Sequence, residues 1–162
     1  MLELKDLMLG NPPLTLAVAE SVTCGRVQAR IGAVRGASTF FLGGIVAYSL
    51  EAKARHLGVD LEQARRCNAV SQAIAEQMAL GVCTLFDARI GLATTGYAEP
   101  AAEHQVITPF AWWALARRLD DTRAEVTSGM IECPGSHRTA AQEAISVAAV
   151  NALVRALRRI RS

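Results

Sequence analysis

Lysine is almost absent from this sequence, and so is any excess of charge. Of its 17 basic residues only two are lysines, Lys5 and Lys53, and the formal net charge is only +2. A chain with so balanced a charge lacks the basic surface that nucleic acids or an anionic membrane require. We therefore expect a small-molecule partner, with no nucleic acid and no membrane.

Metal-binding and secretory patterns are also missing. The four cysteines form no CxxC pair, and no histidine stands at metal-ligand spacing from them. This pattern is typical neither of a zinc site nor of a disulfide-stapled secreted scaffold. The N-terminus lacks the basic and long apolar stretches of a signal peptide, and the longest uncharged stretch, 36–50, is too short to cross a bilayer. We expect reduced thiols and a cytoplasmic location.

Apolar residues, in contrast, are abundant: they make up 51% of the 162 residues, enough for one globular domain over 1–162. Short β-branched segments alternate with longer alanine-rich segments of helical periodicity. This alternation predicts an α/β fold, a three-layer α/β/α sandwich around a mixed, mostly parallel sheet. The predicted strands are 14–19, 44–48, 89–94, 109–116 and 125–132, and the predicted helices are 25–32, 50–57, 71–86 and 136–160, the last two with Ser71 and Ser136 as N-caps.

The segment 19–26 passes from a buried strand into a helix through small residues. Such a turn would expose Ser21 at a cleft and direct the backbone N–H groups of Thr23, Cys24 and Gly25 toward developing negative charge. The same pattern is typical of a plain helix cap, in which Ser21 and Thr23 only accept hydrogen bonds from the first turn. A third interpretation makes Cys24 the nucleophile, although an unpaired cysteine is usually a small buried residue. The spacing leaves these interpretations open.

A serine nucleophile needs a base, and the three histidines have no evident carboxylate partner in the sequence. Lys53 is a candidate, because burial against the apolar run 43–48 would lower the pKa of its amine. An unperturbed lysine has a pKa near ~10.4, so a base that works near pH 7 needs a pKa lower by about three units. The alternative is a solvated lysine paired with Glu51 or Asp60.

Several motifs together resemble the C-terminal domain of the CinA family, whose stand-alone members include nicotinamide-nucleotide amidohydrolases. With x for an unmatched position, the motifs are AESxTxG at 19–25, GxS at 36–38, FLGGIVAYSxExK at 41–53, AVS at 69–71, TGxAxP at 95–100, and PG at 134–135 leading to Arg138. The block at 41–53 is the most specific, because it is a long ungapped agreement at the right distance from the serine motif.

The resemblance implies an α/β/α domain that converts nicotinamide mononucleotide to nicotinic acid mononucleotide and ammonia, with no metal and no cofactor. Carried over by position, Ser21 is the nucleophile, Lys53 is the base and Tyr48 is a third catalytic residue. The substrate-binding residues are then Thr23, Cys24, Gly25, Ser38, Gly44, Gly96 and Arg138. We expect Arg138, with Ser136 and His137 at the start of the last helix, to bind the phosphate.

Several positions depart from the family pattern, and two of them, Cys24 and Glu99, bear on the candidate site. Active relatives typically have glycine at the position of Cys24 and a glycine-rich loop where Glu99 stands. A glycine permits a positive φ and a close backbone approach to a ligand, so Glu99 adds a side chain and a negative charge that would repel an anionic substrate. The alternative function is therefore that of a diverged, catalytically inactive member that acts as a nucleotide-binding or oligomeric partner protein. With either function, we expect a homo-oligomer.

Overall fold

A computed structural model describes residues 2–162 and arranges them in three layers. The middle layer is a five-stranded sheet with the strand order β2-β1-β3-β4-β5. Its strands are β1 (Leu16–Glu20), β2 (Phe41–Val46), β3 (Ile90–Tyr97), β4 (Phe110–Arg118) and β5 (Ala124–Glu132). The helices are α1 (Leu2–Met8), α2 (Arg26–Gly32), α3 (Leu50–Leu57), α4 (Leu61–Arg66), α5 (Gln72–Phe86) and α6 (Arg138–Arg161).

The sheet is mixed, as predicted. β1 pairs in parallel with both β2 and β3, whereas β3 with β4 and β4 with β5 are antiparallel pairs. Four of the five strands therefore run in one direction, and β4 runs against them. Parallel neighbours need a long crossover connection, which the helices supply, whereas β4 and β5 follow each other after a short turn.

The two faces of the sheet differ in the size of their side chains. Leu16 and Val18 pack with α1, α2 and α6 in one core. Ala17 and Ala19, which alternate with them, pack with α3, α4 and α5 in the other core. This period of two explains how one short apolar strand serves both helical layers. The predicted three-layer α/β/α sandwich is confirmed.

The predicted strands and long helices are found with shifted ends. Ser71 caps α5, because its hydroxyl accepts from the Ile74 N–H at 3.2 Å. Ser136 does not cap α6: the helix begins at Arg138, and the cap residue is His137. Among the residues that the structure describes, none of the helices combines the length and the apolar character that a bilayer crossing needs.

Two short helices, α1 and α4, were not predicted. Helix α1 owes its place to the distant α6, because Leu4 and Met8 pack against that layer. Two nitrogens of Arg158 also donate to the carboxylate of Glu3, and Arg161 donates to main-chain carbonyls at the end of α1. A helix of seven residues is unstable by itself in water, so its sequence carries little helical signal.

The connections leave the sheet in two directions. The link from β1 to β2 runs through α2 on one face, and the link from β2 to β3 runs through α3, α4 and α5 on the other face. The chain order therefore reverses between β1 and β3. In open α/β sheets a ligand crevice forms at such a switch point, outside the carboxyl ends of the strands.

The close packing of α5 on α3 leads to a stability prediction. A Cβ added at Gly81 would overlap the main chain of Leu57 at the end of α3. We expect Gly81→Ala to lower the free energy of unfolding by about 1–3 kcal/mol, because overpacking against backbone cannot relax by a rotamer change. Urea unfolding measures this. The control is Gly32→Ala in α2, where an added Cβ meets no atom within 4 Å; equal stability of the two variants would contradict the prediction.

Candidate functional site

A serine and a lysine meet at the carboxyl end of β1. Ser21 is the first residue after this strand, and its N–H donates to the Thr94 carbonyl of β3 at 3.0 Å. Lys53 lies on α3, and its Nζ donates to Ser21 Oγ at 3.0 Å. Ser21 is 7% exposed and Lys53 is 2% exposed. The structure thus brings together the hydroxyl and the amine that the sequence analysis paired.

The Lys53 amine has a second partner in the Tyr48 main chain. Its Nζ donates to the Tyr48 carbonyl oxygen at 3.0 Å. Burial lowers the pKa of Lys53 from its ordinary value to about 8, because removal from water disfavours the charged form. Part of the Lys53 amine is therefore in its neutral form close to physiological pH. The contact from Tyr48 comes from its backbone, whereas the resemblance had suggested a catalytic side chain.

Ser21 and Lys53 border a cavity of about 480 Å³. Its walls come from the residues that follow β1 and β3, from the start of α3 and from the loop before α5. The lining residues are 21–22, 48–51, 53, 68–70, 95–101, 103–104 and 138. This is the crevice that the sheet topology predicts. Across residues 2–162, no three histidine, cysteine or carboxylate side chains come together as a metal site requires.

One wall of the cavity is a hydrogen-bonded cluster absent from the sequence analysis. The Asn68 amide nitrogen donates to the Tyr97 hydroxyl at 2.9 Å and lies 3.0 Å from His104 Nε2. The Tyr97 and His104 rings have centroids 5.5 Å apart. Asn68 and Ala69 have left-handed backbone with φ of 49° and 55°, and the Ala69 carbonyl accepts from the Thr95 hydroxyl at 2.7 Å. Ala69 and Thr95 are matched residues of the motifs at 69–71 and 95–100. Asn68, Tyr97 and His104 are matched by no motif, so no pattern in the sequence indicated the contacts among them.

At the rim of the cavity Arg138 joins two other elements. One terminal nitrogen donates to Glu99 Oε1 at 2.5 Å, and the other donates to the Tyr48 hydroxyl at 2.7 Å. All three side chains are largely exposed. Arg138 therefore lines the cavity, but its guanidinium is already paired with a carboxylate.

The turn after Ser21 is organised by Glu20. This carboxylate is fully buried and accepts from the Thr23 hydroxyl at 2.6 Å. It also accepts from the N–H groups of Gly25, Val27 and Gln28 at 3.0, 3.1 and 2.8 Å. An anion at this position satisfies the unpaired donors of the first turn of α2 and complements the helix dipole. The N-cap residue of α2 is Gly25, and the Glu20 side chain supplies the capping acceptors, so the interpretation of Ser21 and Thr23 as simple caps is wrong.

This network changes the role expected for the turn residues. The Gly25 N–H donates to Glu20, and the Cys24 N–H donates to the Ser21 carbonyl at 3.1 Å. These two donors therefore do not face the cavity, contrary to the expectation of an oxyanion site. Thr23 is buried and contacts the Thr94 hydroxyl at 2.7 Å. Thr23, Cys24 and Gly25 all lie outside the cavity lining.

The left-handed backbone of Cys24 explains why a glycine suits this position. Its φ is 48°, a conformation that is strained for a residue with a Cβ. Cys24 is exposed, and it lies outside the lining that contains Ser21. A ligand in the cavity therefore meets the Ser21 hydroxyl and not the Cys24 thiol.

The other predicted binding residues divide into two groups. Ser38 lies in the 3₁₀ turn Ala37–Thr39 before β2, at the amino end of the strands and thus at the edge opposite to Ser21. Gly44 lies within β2, where a Cβ would press on the Val18 carbonyl and on Gln28, so its role is close packing of α2. Gly96, in contrast, lines the cavity. Of the seven predicted binding residues, Gly96 and Arg138 border the cavity.

Comparisons with known proteins agree with this architecture. The model of the CinA C-terminal domain family matches residues 3–157. A CinA-like protein of Cyanothece sp. is 45% identical over 86 residues, which are 53% of this chain and 21% of that protein. A CinA-like protein of Flavobacterium psychrophilum is 40% identical over 93 residues, 57% of this chain and 22% of that protein. The chain spans about a fifth of the length of such curated relatives.

Solved structures with the same fold cover nearly the whole chain. A CinA superfamily protein of Klebsiella pneumoniae has a TM-score of 0.84 and 27% identity, over 98% of this chain and 95% of that one. A competence/damage inducible protein of Agrobacterium tumefaciens has a TM-score of 0.82 and 29% identity, over 96% of this chain and 91% of that one. The likeness therefore includes all three layers.

The buried amine of Lys53 predicts a pH-dependent stability. Its pKa is about 8 in the folded chain against an ordinary value of 10.5, so between these limits the unfolded chain binds a proton that the folded chain does not. The free energy of unfolding of the parent should therefore rise with pH across this window, relative to Lys53→Met, by on the order of 3 kcal/mol in total.

Urea unfolding from about pH 7 to pH 11 measures the difference between parent and variant. The control is Lys5→Met, which removes the other lysine of the chain from helix α1. If the free energy of unfolding varied with pH in the same way for the parent and Lys53→Met, burial would not shift the pKa of the Lys53 amine.

Proposed function

The chain belongs to the CinA C-terminal domain family, and from this premise we propose that it is an amidohydrolase acting on a carboxamide. The resemblance implies a pyridine nucleotide as substrate, so that nicotinamide mononucleotide would yield nicotinic acid mononucleotide and ammonia. The observation that carries the proposal is the 3.0 Å contact between Lys53 Nζ and Ser21 Oγ beside a cavity. Ser21 is the proposed nucleophile, and Lys53 is the proposed base.

The Tyr48 carbonyl gives the amine its orientation. A neutral lysine amine has two N–H groups and one lone pair. With one N–H donated to the Tyr48 carbonyl, the lone pair is free to accept the Ser21 hydroxyl proton. The main chain at Tyr48 therefore positions the base. An arginine at position 53 could not act in this way, because its guanidinium stays protonated.

The reaction then proceeds in two halves. Ser21 Oγ attacks the carboxamide carbon while its proton passes to Lys53, and the resulting ammonium returns that proton to the departing nitrogen. Ammonia leaves, and an ester joins the acyl group to Ser21. In the second half Lys53 takes a proton from water, the hydroxide attacks the ester carbon, and the proton passes to Ser21 as the acid leaves. Atoms and charge balance in each half.

Ammonia release tests the proposed function directly. Purified protein given a panel of carboxamides, among them nicotinamide mononucleotide, nicotinamide riboside and simple amides, should release ammonia from at least one of them. Ser21→Ala should reduce kcat by about 10³-fold or more, because the acyl-enzyme can no longer form. The control is Ser38→Ala, which removes an exposed hydroxyl at the other edge of the sheet and should retain the parent rate.

Two results would contradict this proposal. One is undiminished turnover by Ser21→Ala, which would show that another group or a contaminant is responsible. The other is saturable thermal stabilisation by a nucleotide with no ammonia from any compound, which would favour the alternative of a catalytically inactive binding protein.

The base assignment predicts a pH profile. The pKa of Lys53 is lowered to about 8, and only the neutral amine can accept a proton, so kcat/KM should fall about tenfold per pH unit below that value and level off above it. Lys53→Arg keeps the charge but cannot lose its proton, and any residual activity of this variant should lack the limb near pH 8. The same limb in parent and variant would assign the titration to another group.

A further inference from the structure

The charges that surround the cavity are unlike those of a site built for an anion. Three glutamates, Glu51, Glu99 and Glu103, belong to the described lining, against two cations, Lys53 and Arg138. Lys53 is occupied by Ser21 and by the Tyr48 carbonyl. Arg138 is therefore the cation that remains for a ligand at the rim of the cavity, and the three glutamates outnumber it.

Arg138 is itself committed within the protein. Its two terminal nitrogens donate to Glu99 and to the Tyr48 hydroxyl. A guanidinium usually binds a phosphate by presenting two parallel N–H groups to two of its oxygens. Here the Glu99 carboxylate occupies one of those positions, and a phosphate that approached Arg138 would meet this like charge.

We infer that Glu99 is a specificity-determining residue. Its carboxylate takes the place on Arg138 that the phosphate of a substrate would take, so the site selects carboxamides that carry no phosphate. The ligand class is then a pyridinium carboxamide nucleoside, with the carboxamide and ribose that the resemblance implies but no phosphate. Discrimination here comes from a repulsive group at the rim as much as from attraction. The inference rests on the proposed function for its reaction, but its recognition step can be measured separately.

The test compares two ligands that differ by one phosphate, nicotinamide riboside and nicotinamide mononucleotide. Dissociation constants are measured by calorimetry on Ser21→Ala, so that no ligand is consumed. This protein should bind the riboside more tightly than the nucleotide. Addition of Glu99→Gln replaces the carboxylate beside Arg138 by a neutral amide, which removes the like charge, and should tighten nucleotide binding about tenfold, with a change of less than about twofold for the riboside.

A matched control separates the Arg138 contact from the general effect of charge. Glu103→Gln removes the same unit of charge from the cavity lining and leaves the Glu99 contact to Arg138 in place. It should change the ratio of the two dissociation constants by less than about threefold, because an exposed charge that makes no direct contact is screened. Arg138→Met combined with Glu99→Gln should abolish the gain for the nucleotide.

Three results would overturn the inference: a ratio that Glu99→Gln leaves unchanged, a preference of the Ser21→Ala protein for the nucleotide, or no binding of either ligand by any variant. Ammonia assays on proteins that retain Ser21 keep the two proposals apart. A shifted binding ratio without ammonia supports the role of Glu99 and rejects the amidohydrolase.

Discussion

The buried carboxylate of Glu20 is the constraint on which the rest of this site depends. It accepts hydrogen bonds from one hydroxyl and three backbone N–H groups, which belong to the turn and to the first residues of α2. A buried carboxylate is tolerated only when it is hydrogen-bonded in this way. Because Glu20 ties the start of α2 to the end of β1, the next residue, Ser21, leaves the sheet with its hydroxyl toward α3. The helix cap and the presentation of the serine are thus one arrangement.

The second requirement of the site is a buried environment for the Lys53 amine, and a different part of the chain provides it. Lys53 stands in the helix that follows β2, and parallel pairing of β2 with β1 brings the start of that helix beside Ser21. The apolar block before it supplies the strand, and the Ser49 hydroxyl starts the helix by accepting from the Ala52 N–H. Pairing, capping and burial together place the amine, and none of them is a property of Lys53 alone.

The sequence was sufficient for the layers and the five strands, because these rest on local periodicity. The pairing of Ser21 with Lys53 came from the family resemblance, since the residues alone left a capping serine and a solvated lysine open. The family resemblance is confirmed. Features that depend on distant side chains were not predictable in the same way. The capping role of Glu20 was not predicted, because capping side chains are expected next to the helix, although an acid at the end of a buried strand is a usable signal. The contact of Arg138 with Glu99 joins two loops with no common pattern, and Tyr48 contacts the amine through its backbone, which any residue type could supply.

The unequal faces of the sheet have a consequence for how this protein can vary. The layer that carries Lys53 rests on alanines such as Ala17 and Ala19, whereas the other layer rests on larger groups such as Leu16 and Val18. Substitutions among large apolar side chains can conserve the total core volume with a modest loss of stability. An alanine has only one methyl group, so a substitution there cannot be compensated by a smaller neighbour in the same way. Core substitutions should therefore be tolerated mainly in the layer formed by α1, α2 and α6. On the opposite layer, one added carbon would press on α5, and through α5 on the packed helix α3 that holds the amine.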